Sequence, residues 1–165
     1  MKKIIKIPQT CCIINPAVNW NSFKNEKDLD FWCLRADIRK NIITLIEEYS
    51  VKYFMSGMSR GLELVAAEII ISLKKKYNLT FEGVFPYEEQ AARWPVKYHE
   101  KYYNIMSQSD KETMTRVYYE YGCYRTRNDY MKNNSNYLLT GDNKDIIIKE
   151  KNYLDKQFTP IINCS

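Results

Sequence analysis

Short β-rich apolar runs alternate with longer amphipathic stretches along nearly the whole chain, and this alternation constrains the fold more than any other feature. Thr10 to Ile14 is the first apolar run and stops at Asn15-Pro16, a turn signal. Val51 to Met55 is the second, ended by Ser56-Gly57, and Leu79 to Phe85 the third, ended by Pro86. Between them, Leu29 to Glu48 carries Leu34, Ile38, Ile42, Leu45 and Ile46 at helical spacing, and Leu62 to Lys76 carries Leu62, Val65, Ile69 and Leu73. Downstream the pattern predicts helices over Glu88 to Trp94 and Pro95 to Gln108, a strand over Thr113 to Tyr118, and a helix over Cys123 to Asn134. A strand over Asn136 to Leu139, a helix over Lys144 to Gln157 and a strand over Pro160 to Ile162 complete it. Such alternation implies right-handed βαβ crossovers. The expected fold class is therefore α/β: a single Rossmann-like domain over residues 1–165, mostly parallel sheet with helices on both faces. With 45% apolar residues a chain of this length can bury one sizeable core.

Other classes are disfavoured. No run approaches the roughly 18 apolar residues of a membrane span, and the Met1-Lys2-Lys3 start leads only into Ile4 to Ile7, so neither a membrane partner nor a signal peptide is expected. Cys11, Cys12, Cys33, Cys123 and Cys164 are scattered, without a CxxC pair, and read as reduced thiols of a cytoplasmic protein. The net charge of +5 is modest, and Lys74 to Lys76 fall at a predicted helix end, where cations suit the dipole. Nucleic acid is thus not an expected partner, although 14 tyrosines leave base stacking open. There is no metal-ligand constellation, P-loop or G-x-G-x-x-G, and His99 stands without a nucleophile motif; no metal and no cofactor is expected.

In sheets of this kind ligands bind beyond the carboxyl ends of the strands, which points to the loops at Asn15, Ser56 to Glu63, Phe85 to Trp94 and Tyr118 to Asn128. Gly57 and Gly61, in Ser56-Gly57-Met58-Ser59-Arg60-Gly61, can bring backbone N–H groups and the helix dipole against an anion. Glu63, in the first helical turn, is either an acceptor for ribose hydroxyls or an ordinary first-turn glutamate. Glu68 sits in Val65-Ala66-Ala67-Glu68-Ile69-Ile70-Ile71; buried, it would have a raised pKa suited to acid–base work, and otherwise it points to solvent. Arg93 and Trp94 can clamp a phosphate and stack on a base, or divide between surface and core. Arg125, Arg127 and Asn128 open a helix after Gly122, where a ligand anion or surface ion pairs would engage them.

Taken together, Phe54-Met55-Ser56-Gly57-Met58-Ser59-Arg60-Gly61-Leu62-Glu63-Leu64-Val65-Ala66-Ala67-Glu68, then Phe85-Pro86-Tyr87 with Gln90 and Arg93-Trp94, then Arg127-Asn128 with Tyr130-Met131 and Ser135, resemble the YpsA-like branch of the SLOG superfamily. The ordered match runs over roughly residues 10 to 140. The resemblance implies a Rossmann-like fold whose crevice takes nucleotide-derived ligands; such relatives include N-glycosidases, sensors of NAD-derived signals and DNA-binding proteins, so fold alone does not settle function. Two motifs depart from the pattern. A Thr-Gly-His-Arg-Pro type motif after the first strand is replaced by Ile13-Ile14-Asn15-Pro16-Ala17, and the Gly-Gly-Thr phosphate turn near the C-terminus by Thr140-Gly141-Asp142-Asn143-Lys144. The usual aspartate of the Gly-Val-Asp block is Glu63 here.

The leading expectation is binding of a nucleotide, ADP-ribose or NAD-derived signal by Asn15, Ser56, Gly57, Gly61, Glu63, Arg93, Trp94, Arg127 and Asn128, in a sensor or in a phage-type protein that sequesters the signal. An N-glycosidase using Glu63 or Glu68 is the alternative, and binding is favoured over turnover because the lost phosphate turn would weaken substrate orientation. A third reading is a degenerate domain acting through tyrosine-rich protein contacts. The expected assembly is a homo-oligomer.

Overall fold

The computed structural model describes residues 8–16, 29–142 and 145–161. Residues 17–28 fall between the first strand and the first helix, and Ile162 and Cys164 also lie outside the described part. The elements run β1 (Gln9–Ile13), α1 (Leu29–Glu48), β2 (Val51–Ser56), α2 (Leu62–Tyr77), β3 (Thr80–Phe85), α3 (Val96–Met106), β4 (Lys111–Met114), α4 (Cys123–Asn133), β5 (Tyr137–Asp142), β6 (Asp145–Lys151) and β7 (Phe158–Pro160).

These strands form one seven-stranded sheet in the order β4-β3-β2-β1-β5-β6-β7. The first five are mutually parallel, while β6 and β7 are added antiparallel. Side chains on a strand alternate between faces, and the core follows that rule. Cys11, Ile13, Phe54 and Phe81 pack with α1, α2 and α3 on one face, while Cys12, Ile14, Met55, Val84 and Leu138 pack with Met131 of α4 on the other. The reason is topological. From β1 to β4 the chain winds outward in one direction and then returns past β1 to β5, and a right-handed crossover in the reverse direction must lie on the opposite face. The α/β architecture with helices on both faces is therefore observed.

Helix α2 is the most enclosed, with Leu62, Leu64, Ala66, Ala67, Ile69, Ile70 and Leu73 all buried. It ends at Asn78, which adopts the left-handed conformation (φ 54°) that closes a helix, and its N–H returns to the Lys74 carbonyl. Lys74 to Lys76 fill its last turn as expected. Cys11 and Cys12 are fully buried thiols, and burial pushes Cys12 up to about 12.

Four segments differ from the sequence reading. The expected helix over Lys144 to Gln157 is instead β6 followed by a turn, with Asp142 paired to Asp145 and Tyr137 to Glu150. Ile146-Ile147-Ile148 explains it, since β-branched side chains lose rotamer freedom in a helix and pack well on a pleated surface. Ile148 is buried, whereas Tyr153 and Leu154, in the turn after β6, are exposed. Glu88 to Trp94 forms successive turns, with the Ala92 and Trp94 amides reaching carbonyls only three residues back; Pro95 disfavours helical backbone at the residue before it. The strand expected over Thr113 to Tyr118 is Lys111–Met114, because its partner β3 stops at Phe85 before Pro86, which has no N–H to continue a ladder. The final strand, expected over Pro160 to Ile162, is Phe158–Pro160, set by its pairing with Lys149 to Lys151 of β6. No described helix is long and apolar enough to cross a membrane.

Candidate functional site

The winding direction reverses between β1 and β5, the place where open α/β sheets form a crevice. An open cleft of about 470 Å³ lies here, lined by Asn15, Pro16, Ser59, Arg60, Glu63, Trp94, Tyr124, Arg127 and Asn128. Thus the end of β1, the β2–α2 loop, the turns before α3 and the start of α4 meet at one place.

The floor is built around Glu63, which has no exposed surface. Its Oε2 accepts from the Asn15 backbone N–H at 2.7 Å, its Oε1 from the Ser59 N–H at 3.3 Å, and Arg127 Nη1 lies 3.2 Å from Oε1 with Nη2 3.3 Å from Oε2. Burial, the largest influence, holds the Glu63 carboxyl above its usual range, and Arg127 with the Asn15 and Ser59 donors pulls against it. Arg127 is itself buried; its Nη1 also donates to the Gly57 carbonyl at 3.0 Å and to Ser59 Oγ at 2.8 Å, and its Nε and Nη2 donate to Asn128 Oδ1 at 3.1 and 2.9 Å.

Both glycines of the loop serve this floor. A Cβ on Gly57 would stand 2.2 Å from Glu63 Oε1 and 2.5 Å from Arg127 Cζ, so any side chain there splits the pair. Gly61 has φ 109°, a conformation side chains rarely adopt. As the residue ahead of α2 it offers no side-chain cap. Asn15 supplies one from the loop after β1: its Oδ1 accepts from the Glu63 N–H at 2.9 Å while its Nδ2 donates to the Arg60 carbonyl at 2.9 Å. Ser56 is buried beneath the loop, donating to the Glu63 carbonyl and accepting from the Met58 N–H, so it braces the turn from below.

Aromatic groups form the walls. Trp94 packs edge-on to Tyr102 with ring centroids 5.4 Å apart, and Tyr124 packs edge-on to Tyr87 at 6.4 Å, with the Arg127 guanidinium 5.2 Å from its ring centroid. Burial and its bond with Tyr87 push the Tyr124 phenol up to about 12, so it stays a neutral hydroxyl. At the rim the exposed Arg60 lies 4.0 Å over the ring of Tyr98.

A profile described as the YspA SLOG family, YpsA, matches residues 18–157. The chain belongs to the YpsA family of SLOG proteins. Among its YpsA-family relatives, a UPF0398 protein of Halalkalibacterium halodurans is 30% identical over 109 residues, 64% of this chain and 57% of that protein. One from Oceanobacillus iheyensis is 36% identical over 91 residues, 54% and 48% of the two chains, and one from Lactobacillus johnsonii 24% identical over 132 residues, 80% and 68%. The chain thus spans about half the length of the first two of these relatives.

Within this YpsA-family fold the structure brings Asn15, Gly57, Gly61, Glu63, Trp94, Arg127 and Asn128 together and sets Ser56 just below them. It does not bring in the other two. Arg93 is exposed and absent from the cleft lining, and Glu68 opens into a separate groove beside Phe31, Trp32 and Tyr98. There Glu68 is 37% exposed and paired with Arg35 at 3.0 Å and Lys101 at 3.5 Å, so of its two readings the solvent-facing one holds and the buried acid does not. Ser59, Arg60, Gln90 and Tyr124 are site residues that sequence reasoning passed over. Gln90 is buried and donates to Ser59 Oγ at 2.7 Å while its Oε1 meets no partner among the described residues. Its position, five residues after the end of β3 in a loop already suspected, was the available signal.

A second buried acid lies elsewhere. Glu82 on β3 accepts from Tyr53, from Thr113 Oγ1 at 2.9 Å and from Tyr130 at 2.8 Å, with Lys111 at 3.7 Å. With its acceptor positions occupied, it ties β2, β3, β4 and α4 together. Among the described residues no group of His, Cys, Asp and Glu could hold a metal ion.

Proposed function

We propose that the cleft binds a nucleotide-derived small molecule, a nucleotide, ADP-ribose or an NAD-derived signal, and that this binding is the protein's activity in the cytoplasm. The observation that carries the reading is the pairing of aromatic walls, Trp94 and Tyr124, with a rigid polar floor in a cleft of about 470 Å³ at the sheet's switch point. That volume suits a drug-sized ligand, and such sites join stacking surfaces to a few oriented polar groups. Binding is favoured over N-glycosidic cleavage because neither carboxylate is placed for it: Glu63 is enclosed among its donors, and Glu68 opens into another groove. A sensor or a signal-sequestering protein of a phage or mobile element would each use such a cleft.

Thermal-shift titration with NAD, ADP-ribose, cyclic ADP-ribose isomers, AMP and cyclic dinucleotides tests it, since a ligand that binds only the folded state raises the melting temperature. One or more compounds should raise it, and Trp94→Ala should abolish the rise. A flat response across the panel overturns the reading.

One observation favours a second reading, contact between copies of the chain. Val117, Tyr118, Tyr119 and Tyr121 are exposed on one loop, with Tyr121 fully so, and tyrosine is enriched at interfaces. Sedimentation that finds only monomer at micromolar concentration would sink the homo-oligomer.

A further inference from the structure

The polar side chains of the floor differ in what they have left to offer. The five N–H groups of a guanidinium are all engaged in Arg127, by Asn128 Oδ1, the Gly57 carbonyl, Ser59 Oγ and Glu63. Glu63 is enclosed by its donors, and Asn15 has committed its N–H, its Oδ1 and one of its two Nδ2 hydrogens. Ser59 Oγ already accepts from both Arg127 and Gln90. A phosphate that reached Arg127 would have to displace Glu63 or Asn128, and stripping one partner from a buried ion pair is strongly unfavourable. At the start of α2 the Glu63 N–H is taken by Asn15 Oδ1 and the Leu64 N–H by the Ser59 carbonyl, so neither is left for an anion.

Among the residues that line the cleft, Asn128 has the most left to offer. Its Oδ1 faces two guanidinium donors, which settles the orientation of the amide: carbonyl toward Arg127, NH2 away from it. The residue is half-buried and lines the cleft, and no acceptor among the described residues meets its Nδ2. The floor therefore presents a hydrogen-bond donor without presenting a net charge.

We infer that the cleft recognises its ligand through an uncharged nucleoside moiety, whose carbonyl or ring nitrogen accepts from Asn128 Nδ2 between Trp94 and Tyr124, and that phosphate stays outside the floor on the side of Arg60. This rests on the nucleotide-ligand reading and names which part of the ligand is read. Asn128 is on this account a specificity-determining residue. Asn128→Asp is the informative change, because it keeps an oxygen for Arg127 while replacing the outward donor with a charged acceptor, which a ligand carbonyl or ring nitrogen cannot use.

The test is calorimetric titration of the common ribonucleosides and their 5′-monophosphates into the wild-type chain and Asn128→Asp. A nucleoside should bind within about threefold of its monophosphate, and Asn128→Asp should weaken that nucleoside about threefold to tenfold, as expected for one hydrogen bond. A monophosphate that binds tenfold or more tightly than its nucleoside overturns the inference without any variant, and undiminished nucleoside binding by a folded Asn128→Asp overturns the role of Asn128. Binding of none of the compounds removes the nucleotide-ligand reading itself, and this inference with it.

Discussion

Arg127 shows how much one residue can be asked to do. It is 3% exposed, and the carboxylate opposite has no exposed surface, so each charge depends on the other for its solvation. Truncating Arg127 to alanine leaves Glu63 buried without its counter-charge, and the expected loss is about 3–5 kcal/mol, read from urea unfolding. A loss below about 1 kcal/mol would mean that water enters the floor and solvates the pair. Gly57→Ala should destabilise by a similar mechanism without removing either charge, because its methyl group has no room between Glu63 Oε1 and Arg127 Cζ. If that variant melts with the wild type, the close approach at Gly57 relaxes easily and the floor is softer than its geometry implies.

Elements with strong periodicity were legible from residues alone. Strands β1, β2, β3 and β5 and the four described helices correspond to runs read from the residues, because a buried parallel strand is largely apolar and a half-buried helix repeats every three to four positions, whereas the exposed edge strand β4 overlaps its expected run only at Thr113 and Met114. What misled was the C-terminal segment, where a charged stretch with interspersed apolar residues fits a helix until tertiary pairing with β5 decides otherwise. The cleft was legible to the level of its loops, since strand ends locate it in any sheet of this kind. Which side chains face it was not, because Arg93 and Trp94 are neighbours in sequence, yet only the tryptophan lines the cleft. At this scale Ile148→Ala should cost about 2–4 kcal/mol, because β6 is an integral strand whose isoleucine packs into the main core. A change within about 0.5 kcal/mol, measured by thermal or denaturant unfolding, would show that β6 and β7 are a dispensable appendage.

For the molecule as a whole, burial predicts a sharp division among the thiols. Cys33 is exposed, whereas Cys11, Cys12 and Cys123 are buried, and the thiolate needed for reaction is disfavoured at Cys11 and Cys12. In the native protein at pH 8, iodoacetamide followed by peptide mass mapping should find Cys33 modified and those three protected until denaturant is added. Labelling of Cys12 at a rate near that of Cys33 would reveal frequent opening of the sheet. The floor of the cleft also has a meaning in time. Asn15 joins Glu63 across 48 positions of the chain, and Glu63 joins Arg127 across 64. Contacts between distant segments carry a closure cost that local helices avoid, and topologies dominated by them fold more slowly. No fragment that lacks β1 or α4 contains the whole constellation, so a nascent chain acquires its cleft only after α4 has emerged and docked, and partial folding cannot produce a partial binder.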